Sequence, residues 1–170
     1  MLKIARSMRD LSFRGLMDVY LEGNLEKAAG EWPNEPRSVG LQFAEQDFFQ
    51  YLKECFFSVP GAVYALWEVE GVCVSALRLE PYRDGLLLEA LETAPEERRK
   101  GYAEALVRAV QSRVGHTKLY SHVHKENQPS LRLHEKCGFQ RTREYAAYID
   151  GSYNHRCCTL LYDAGSSTHA

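Results

Sequence analysis

Leu91-Glu92-Thr93-Ala94-Pro95-Glu96-Glu97-Arg98-Arg99-Lys100-Gly101-Tyr102-Ala103 reads as a strand that runs through a turn into the start of a helix. The first amides of a helix lack intrahelical acceptors and sit at the positive end of its dipole. A diphosphate placed there gains several hydrogen bonds while needing few side-chain charges. Gly101 lets phosphates approach the backbone, small Ala103 does the same one step on, and Arg98, Arg99 and Lys100 add positive charge. Alone, the stretch equally fits an ordinary helix N-terminus with basic residues on its solvated side.

Upstream, Ala62–Val69, Val72–Leu79 and Leu86–Thr93 are β-rich runs separated by Glu70-Gly71 and Arg83-Asp84-Gly85, as in a three-stranded meander. Before them, Leu2–Met8 suggests a strand. Helical spacing follows over Asp10–Leu21 and again over Leu41–Phe57, where Pro60-Gly61 ends it. Gly23–Gly40 holds Gly23, Asn24, Gly30, Pro33, Asn34 and Pro36, so a loop is expected there, with at most a helical turn at Leu25–Ala29. Downstream, Glu96–Val114 carries an apolar stripe through Tyr102, Leu106, Ala109, Val110 and Val114, the pattern of an amphipathic helix. Lys118–His124 reads as a strand, Pro129–Lys136 as a helix, and Phe139–Ile149 with His155–Tyr162 as two strands around Asp150-Gly151. The order predicts an α/β fold in which helices pack against one mixed, largely antiparallel sheet. One domain over residues 1–163 and a flexible tail over 164–170 are expected.

Composition excludes several classes. The chain has 170 residues, 45% hydrophobic and 26% charged, enough to bury one core without staples. A net charge of -2 argues against a broad nucleic-acid or anionic-lipid surface. No apolar run is long enough to span a bilayer and Met1–Asp10 does not read as a signal peptide, so a cytoplasmic protein without membrane partners is expected. Cys55, Cys73, Cys137, Cys157 and Cys158 show no CxxC spacing, so reduced thiols and no metal site are expected.

The chain resembles the GNAT family of N-acetyltransferases. That family's pyrophosphate loop has Gln or Arg, two residues, Gly, one residue, then Gly or Ala; Arg98, Gly101 and Ala103 match it in place. A second block of the family, an Asn followed by a small residue, an aromatic and Glu-Lys-x-Gly-Phe, is met by Asn127, Ser130, His134, Glu135, Lys136, Gly138 and Phe139. The resemblance implies a splayed central strand pair and acetyl-CoA, or another short acyl-CoA, as cosubstrate. It places Leu91 and Thr93 along the pantetheine arm, and Arg98, Arg99, Lys100, Gly101, Tyr102 and Ala103 around the pyrophosphate. Asn127 is left two readings, a pantetheine contact or an N-cap of the helix that follows.

Acetyl transfer needs a neutral amine and a proton for the departing thiolate. Where the resemblance expects a tyrosine acid the chain has His134, with an ordinary pKa of about 6.5 against about 10. As base, the resemblance points to His122 on the strand after the loop helix, with His124 on the same face; Glu92 and Glu89 on the donor strand compete. No Ser or Cys has a nucleophile setting, which favours direct attack by the amine over an acyl-enzyme; Cys137, nearest the motif, reads as a packing residue. Trp32, Tyr145, Tyr148 and Tyr153, with Glu22, Glu26, Glu31, Glu35 and Asp150, would form an acidic, aromatic acceptor wall. The expected partner is a small-molecule primary amine. A peptide N-terminus or lysine as acceptor, or a non-catalytic acyl-CoA sensor, are the rival readings, and a homodimer is left open.

Overall fold

The structure is a computed structural model, and residues 1–165 are described. The expected tail falls outside the described residues from position 166 onward. The chain runs β1 (Leu2–Ala5), α1 (Phe13–Val19), α2 (Leu21–Glu31), α3 (Arg37–Glu54), β2 (Val63–Val69), β3 (Val72–Tyr82), β4 (Gly85–Thr93), α4 (Tyr102–Val114), β5 (Lys118–His124), α5 (Gln128–Lys136), β6 (Gln140–Arg143), β7 (Ala146–Ala147), β8 (Tyr153–Asn154) and β9 (Cys157–Tyr162). Seven strands form one sheet in the order β1-β2-β3-β4-β5-β9-β6, while β7 and β8 make a separate two-stranded ribbon. Every neighbour pair in the sheet is antiparallel except β4 and β5.

Strand alternation sorts side chains onto two faces, and helices cover both. Leu77, Leu79, Leu88, Leu119 and Val123 meet Leu106, Val107 and Val110 of α4 and Phe139 beyond α5. On the other face Tyr64, Leu66 and Ala76 meet Leu16, Met17 and Val19 of α1, Leu52 of α3 and Phe56. Burying each of the larger side chains stabilises the fold by about 1.5–3 kcal/mol.

Four sequence expectations are corrected. The stretch expected as loop from Gly23 contains an eleven-residue helix, α2, and only residues 32–36 connect it to α3, which starts at Arg37 rather than Leu41. Packing overrides the weak helix propensity here. Gly23 and Gly30 face open space, and the small Gly40 lets α3 approach Ala28 so closely that an added Cβ would stand 3.3 Å from the Ala28 Cβ. The helix expected from Glu96 begins at Tyr102, after a 3-10 turn at Pro95–Glu97 and a stretch with left-handed φ at Arg99. The first helix breaks at Tyr20 into α1 and α2. The two long closing strands are interrupted, so that Ala146–Ala147 and Tyr153–Asn154 leave the sheet as the ribbon.

β4 and β5 pair only from Gly85–Lys118 to Leu88–Ser121. Beyond that point β4 continues to Thr93 against β3, and β5 continues to His124 against β9, so the two strands part in the middle of the sheet. A bulge in β4 accompanies the parting: three steps from Glu89 to Glu92 oppose two from Arg78 to Ala76, and Ala90 has φ 50°. The Tyr20 hydroxyl donates to the Ala90 carbonyl at 2.6 Å and pins the bulge to the α1–α2 junction.

Gly85 heads the paired segment, where an added Cβ would lie 2.3 Å from the Lys118 carbonyl oxygen. Gly85→Ala is expected to lose about 3 kcal/mol, lowering the melting temperature by about 10 °C. Gly23→Ala, with open space around its position, is expected to be neutral or to gain up to about 1 kcal/mol. Calorimetric melts of both variants check the contrast.

Candidate active site

The parted edge of β4 leads directly into the glycine-containing loop before α4. The Ala94 amide donates to Val74 at 2.9 Å, and the chain turns at Pro95–Glu97. Arg99 (φ 61°) and Gly101 (φ 83°) are left-handed, and α4 starts without a side-chain cap. Its first intrahelical hydrogen bond runs from the Ala105 amide to Gly101, which leaves the Tyr102, Ala103 and Glu104 amides with no acceptor from the helix. They open on a cleft of about 710 Å³ that also reaches the edge of β4 and the first turns of α5.

The cleft gathers Leu91, Thr93, Arg98, Arg99, Gly101, Tyr102, Ala103 and Asn127, each expected from the sequence. Lys100 is the exception, its Nζ turned to Glu97 at 2.8 Å. Arg98 also ties the loop down: its Nε donates to the Thr93 carbonyl at 3.3 Å, and one terminal nitrogen lies 2.6 Å from Glu22 and 3.9 Å from Glu92. Its charge is thus largely engaged in fastening the loop to α2 and β4. Asn127 Oδ1 accepts from the Ser130 amide at 3.2 Å, so it caps α5 while lining the cleft. Unpaired amides, a glycine whose missing Cβ would point into free space, and an unpaired strand edge all fit a coenzyme A diphosphate and its amide-bearing arm.

The opposite face of the sheet carries the titratable groups. Glu89 of β4 and His122 of β5 each stand one residue past the last paired positions, Leu88 and Ser121, and on one face, where the strands separate. Both His122 ring nitrogens are buried without a hydrogen-bond partner, and the ring meets Tyr82 and Tyr148 edge-on at 5.6 Å and 5.2 Å. Burial, then nearby Arg83, pushes His122 down to about 4, so the imidazole is neutral near pH 7. Burial pushes the Glu89 carboxyl above the usual carboxylate range, against the pull of Arg78 and with a further push from Glu80. Glu92 is also raised, first by burial, but its side chain is about half exposed (49%) and turned toward Arg98.

His134 stands outside the cleft. It is 2% exposed, packed edge-on against Phe139 at 5.0 Å, with Nδ1 2.8 Å from the Ser130 carbonyl. A carbonyl only accepts, so Nδ1 holds the proton and the buried, unpartnered Nε2 presents a lone pair. Burial lowers its pKa despite that hydrogen bond. His124 accepts from the Glu126 amide at 3.2 Å and shapes the turn before α5. Of the expected acceptor wall, Tyr148 reaches His122, while Tyr145 and Tyr153 meet each other edge-on at 5.5 Å. Trp32 packs on Phe43 at 5.5 Å, between α2 and α3. Sequence reading missed Arg78, Glu80 and Tyr82 of β3. The one signal for them was polar residues recurring at every second position of an otherwise apolar strand.

A family model described as Acetyltransferase (GNAT) family matches residues 25–139. No curated protein matches the chain in sequence. Among solved structures, a Pyrococcus horikoshii protein shares the fold at 16% identity over 96% of this chain and 98% of that chain, with a TM-score of 0.64. The ribosomal-protein-S18-alanine N-acetyltransferase of Escherichia coli is similar at 17% identity over 100% of both chains (TM-score 0.59). The PaiA N-acetyltransferase of Thermoplasma acidophilum, solved in complex with coenzyme A, is similar at 14% identity over 96% and 99% (TM-score 0.58). At these identities the likeness speaks for the fold, and the family model, spanning both the loop at residues 98–103 and the block at residues 127–139, carries the assignment. The chain belongs to the GNAT acetyltransferase family, whose acyl donor is acetyl-CoA.

Proposed function

We propose that the protein transfers the acetyl group of acetyl-CoA to the primary amine of a small molecule, by direct attack and with Glu89 as the base. The observation that carries this reading is the coincidence of two openings: the acceptor-free amides of α4 face the same parted strands that carry Glu89 and His122 one residue past the last paired positions. The amides and Gly101 hold the diphosphate, and the free edge of β4 at Leu91 and Thr93 orients the arm. When bound, acetyl-CoA supplies the acyl carbon, whose bond to sulfur breaks as its bond to nitrogen forms.

The acceptor arrives as an ammonium with a pKa of about 10, so a proton must leave before nitrogen can attack. His122, held near 4, is a weaker proton acceptor than the raised Glu89 carboxylate and serves instead to hydrogen-bond the amine. A free thiol titrates near 8.5, so the departing thiolate takes its proton from solvent with little assistance. Neutral His134 has no Nε2 proton to give, and it braces α5. Of the free cysteines only Cys55, at the end of α3, is exposed, which supports attack by the amine itself. Tyr82 and Tyr148, both edge-on to His122, would wall the acceptor side of the parting, which supports a small acceptor.

Three outcomes are expected. Calorimetric titration with acetyl-CoA gives binding for the native chain and none for Gly101→Trp, which remains folded by circular dichroism; retained affinity would remove the loop from the site. In a thiol-release assay over diamines, amino acids, aminoglycosides and short peptides, Glu89→Gln lowers kcat about 10²–10⁴-fold on whichever amine turns over. Release on peptides alone would replace the small-molecule acceptor with a protein one. His134→Phe keeps kcat and its pH profile, and a displaced profile would restore it as the acid.

A further inference from the structure

Arg78 brings a positive charge to the parting that acetyl transfer by Glu89 leaves unused. It is the register partner of Glu89 on β3, and one of its terminal nitrogens lies 3.9 Å from the Glu89 carboxylate, too far for a hydrogen bond. An arginine side chain carries only donors and keeps its charge. Among the described residues no acceptor takes a hydrogen bond from the Arg78 guanidinium, and its Nε is buried without one. Two rings hold the group in place: it lies over Tyr51 at 5.1 Å and over Phe56 at 5.7 Å. The side chains of Arg78 and Glu89 are 17% and 25% exposed, so a solute can reach both.

A guanidinium held flat presents its N–H groups as a fork, which matches the two oxygens of a carboxylate. We infer that the acceptor is an α-amino acid, whose carboxylate is held by Arg78 while its amine meets Glu89. The inference rests on the acetyl transfer proposed above and names the class of its acceptor. Opposite charges 3.9 Å apart on the protein are matched by a solute whose ammonium and carboxylate are separated by a single carbon. The solute's own charges cancel, so it adds no net charge to a site that also holds Glu80, 9% exposed, on the same face of β3. A diamine would bring its second ammonium up to the guanidinium, where like charges repel. A peptide N-terminus has an amide in place of the carboxylate and leaves Arg78 unpaired. In the reaction the α-ammonium gives one proton to Glu89, and the freed lone pair forms the C–N bond as the C–S pair leaves on sulfur. Sulfur takes a proton, the new amide nitrogen loses its second proton, and Glu89 passes the first to solvent. The carboxylate takes no part in these bond changes, so Arg78 supplies binding and orientation, and the product is an N-acetyl amino acid.

The test compares L-amino acids, each with its own carboxamide, as acceptors in the thiol-release assay, on the native full-length protein and on Arg78→Met and Arg78→Lys. The carboxamide keeps the α-amine and the shape and removes the negative charge. On the native chain kcat/KM favours the free acid by about 10- to 100-fold, the worth of hydrogen bonding to a charged group. Arg78→Met lowers that acid-to-amide ratio by about the same factor, chiefly through KM for the acid, and Arg78→Lys lowers it less. The change in ratio between native and variant cancels the different basicities of the two amines and any altered basicity of Glu89. A merely structural role for Arg78 would lower both rates together and leave the ratio where it was. If Arg78→Met does not fold, the native ratio and Arg78→Lys decide. A native ratio near one, an unmoved ratio in the folded variant, or diamines turned over in preference to amino acids overturns the amino-acid acceptor, and acetyl transfer to a small amine stands. Thiol release with no small amine at all overturns both.

Discussion

Parallel pairing between β4 and β5 stops after Leu88 and Ser121, and the rest of the site depends on that stop. It is fixed from both ends. At the closed end Gly85 lies against the Lys118 backbone, and Asp84 receives hydrogen bonds from Lys118 at 2.6 Å and from the Tyr120 hydroxyl. At the open end the bulge at Ala90 turns β4 aside and Tyr20 holds it there. Each strand keeps its outer partner, so the sheet stays cooperative while its centre opens.

The opening joins two environments that a closed sheet would keep apart. On the side of α4 and α5 lie backbone amides, which suit an anion without adding a titratable group. On the side of α1 to α3 lie the ion pair of Arg78 with Glu89 and the unpartnered imidazole of His122, where burial shifts the protonation of both the carboxyl and the ring. Arg98 spans the two. Its pair with Glu22 is largely exposed (40% and 53%), so it adds at most about 1 kcal/mol to stability, and its importance lies in fixing the loop against α2.

Much of this was legible in residue order. β-rich runs between the Glu70-Gly71 and Arg83-Asp84-Gly85 turn signals marked β2 to β5 to within three residues at each end, and the apolar stripe marked α4 apart from its start at Tyr102. The early helices were obscured by Gly23 and Gly30, which look like breakers but lie on the solvent side of a helix held by packing at Ala28 and Gly40. The loop residues were legible since backbone chemistry, not side-chain context, selects glycine at Gly101. The base was not. Simple alternation puts Glu89 and Glu92 on opposite faces, and the extra residue at Ala90, invisible in composition, brings them to the same one. Which of them is held by Arg98 and which by Arg78 depends on contacts distant in the chain.

The parted strands also relocate a hazard. Unpaired backbone on a strand is ordinarily a rim problem, where it invites another chain to add itself and start an aggregate. Here a comparable stretch of bare backbone lies in the interior of the sheet, roofed by α4 and α5 and narrowing toward Leu88 and Ser121. The protein thereby keeps an open hydrogen-bonding edge inside the sheet, away from the surface where such an edge invites added strands.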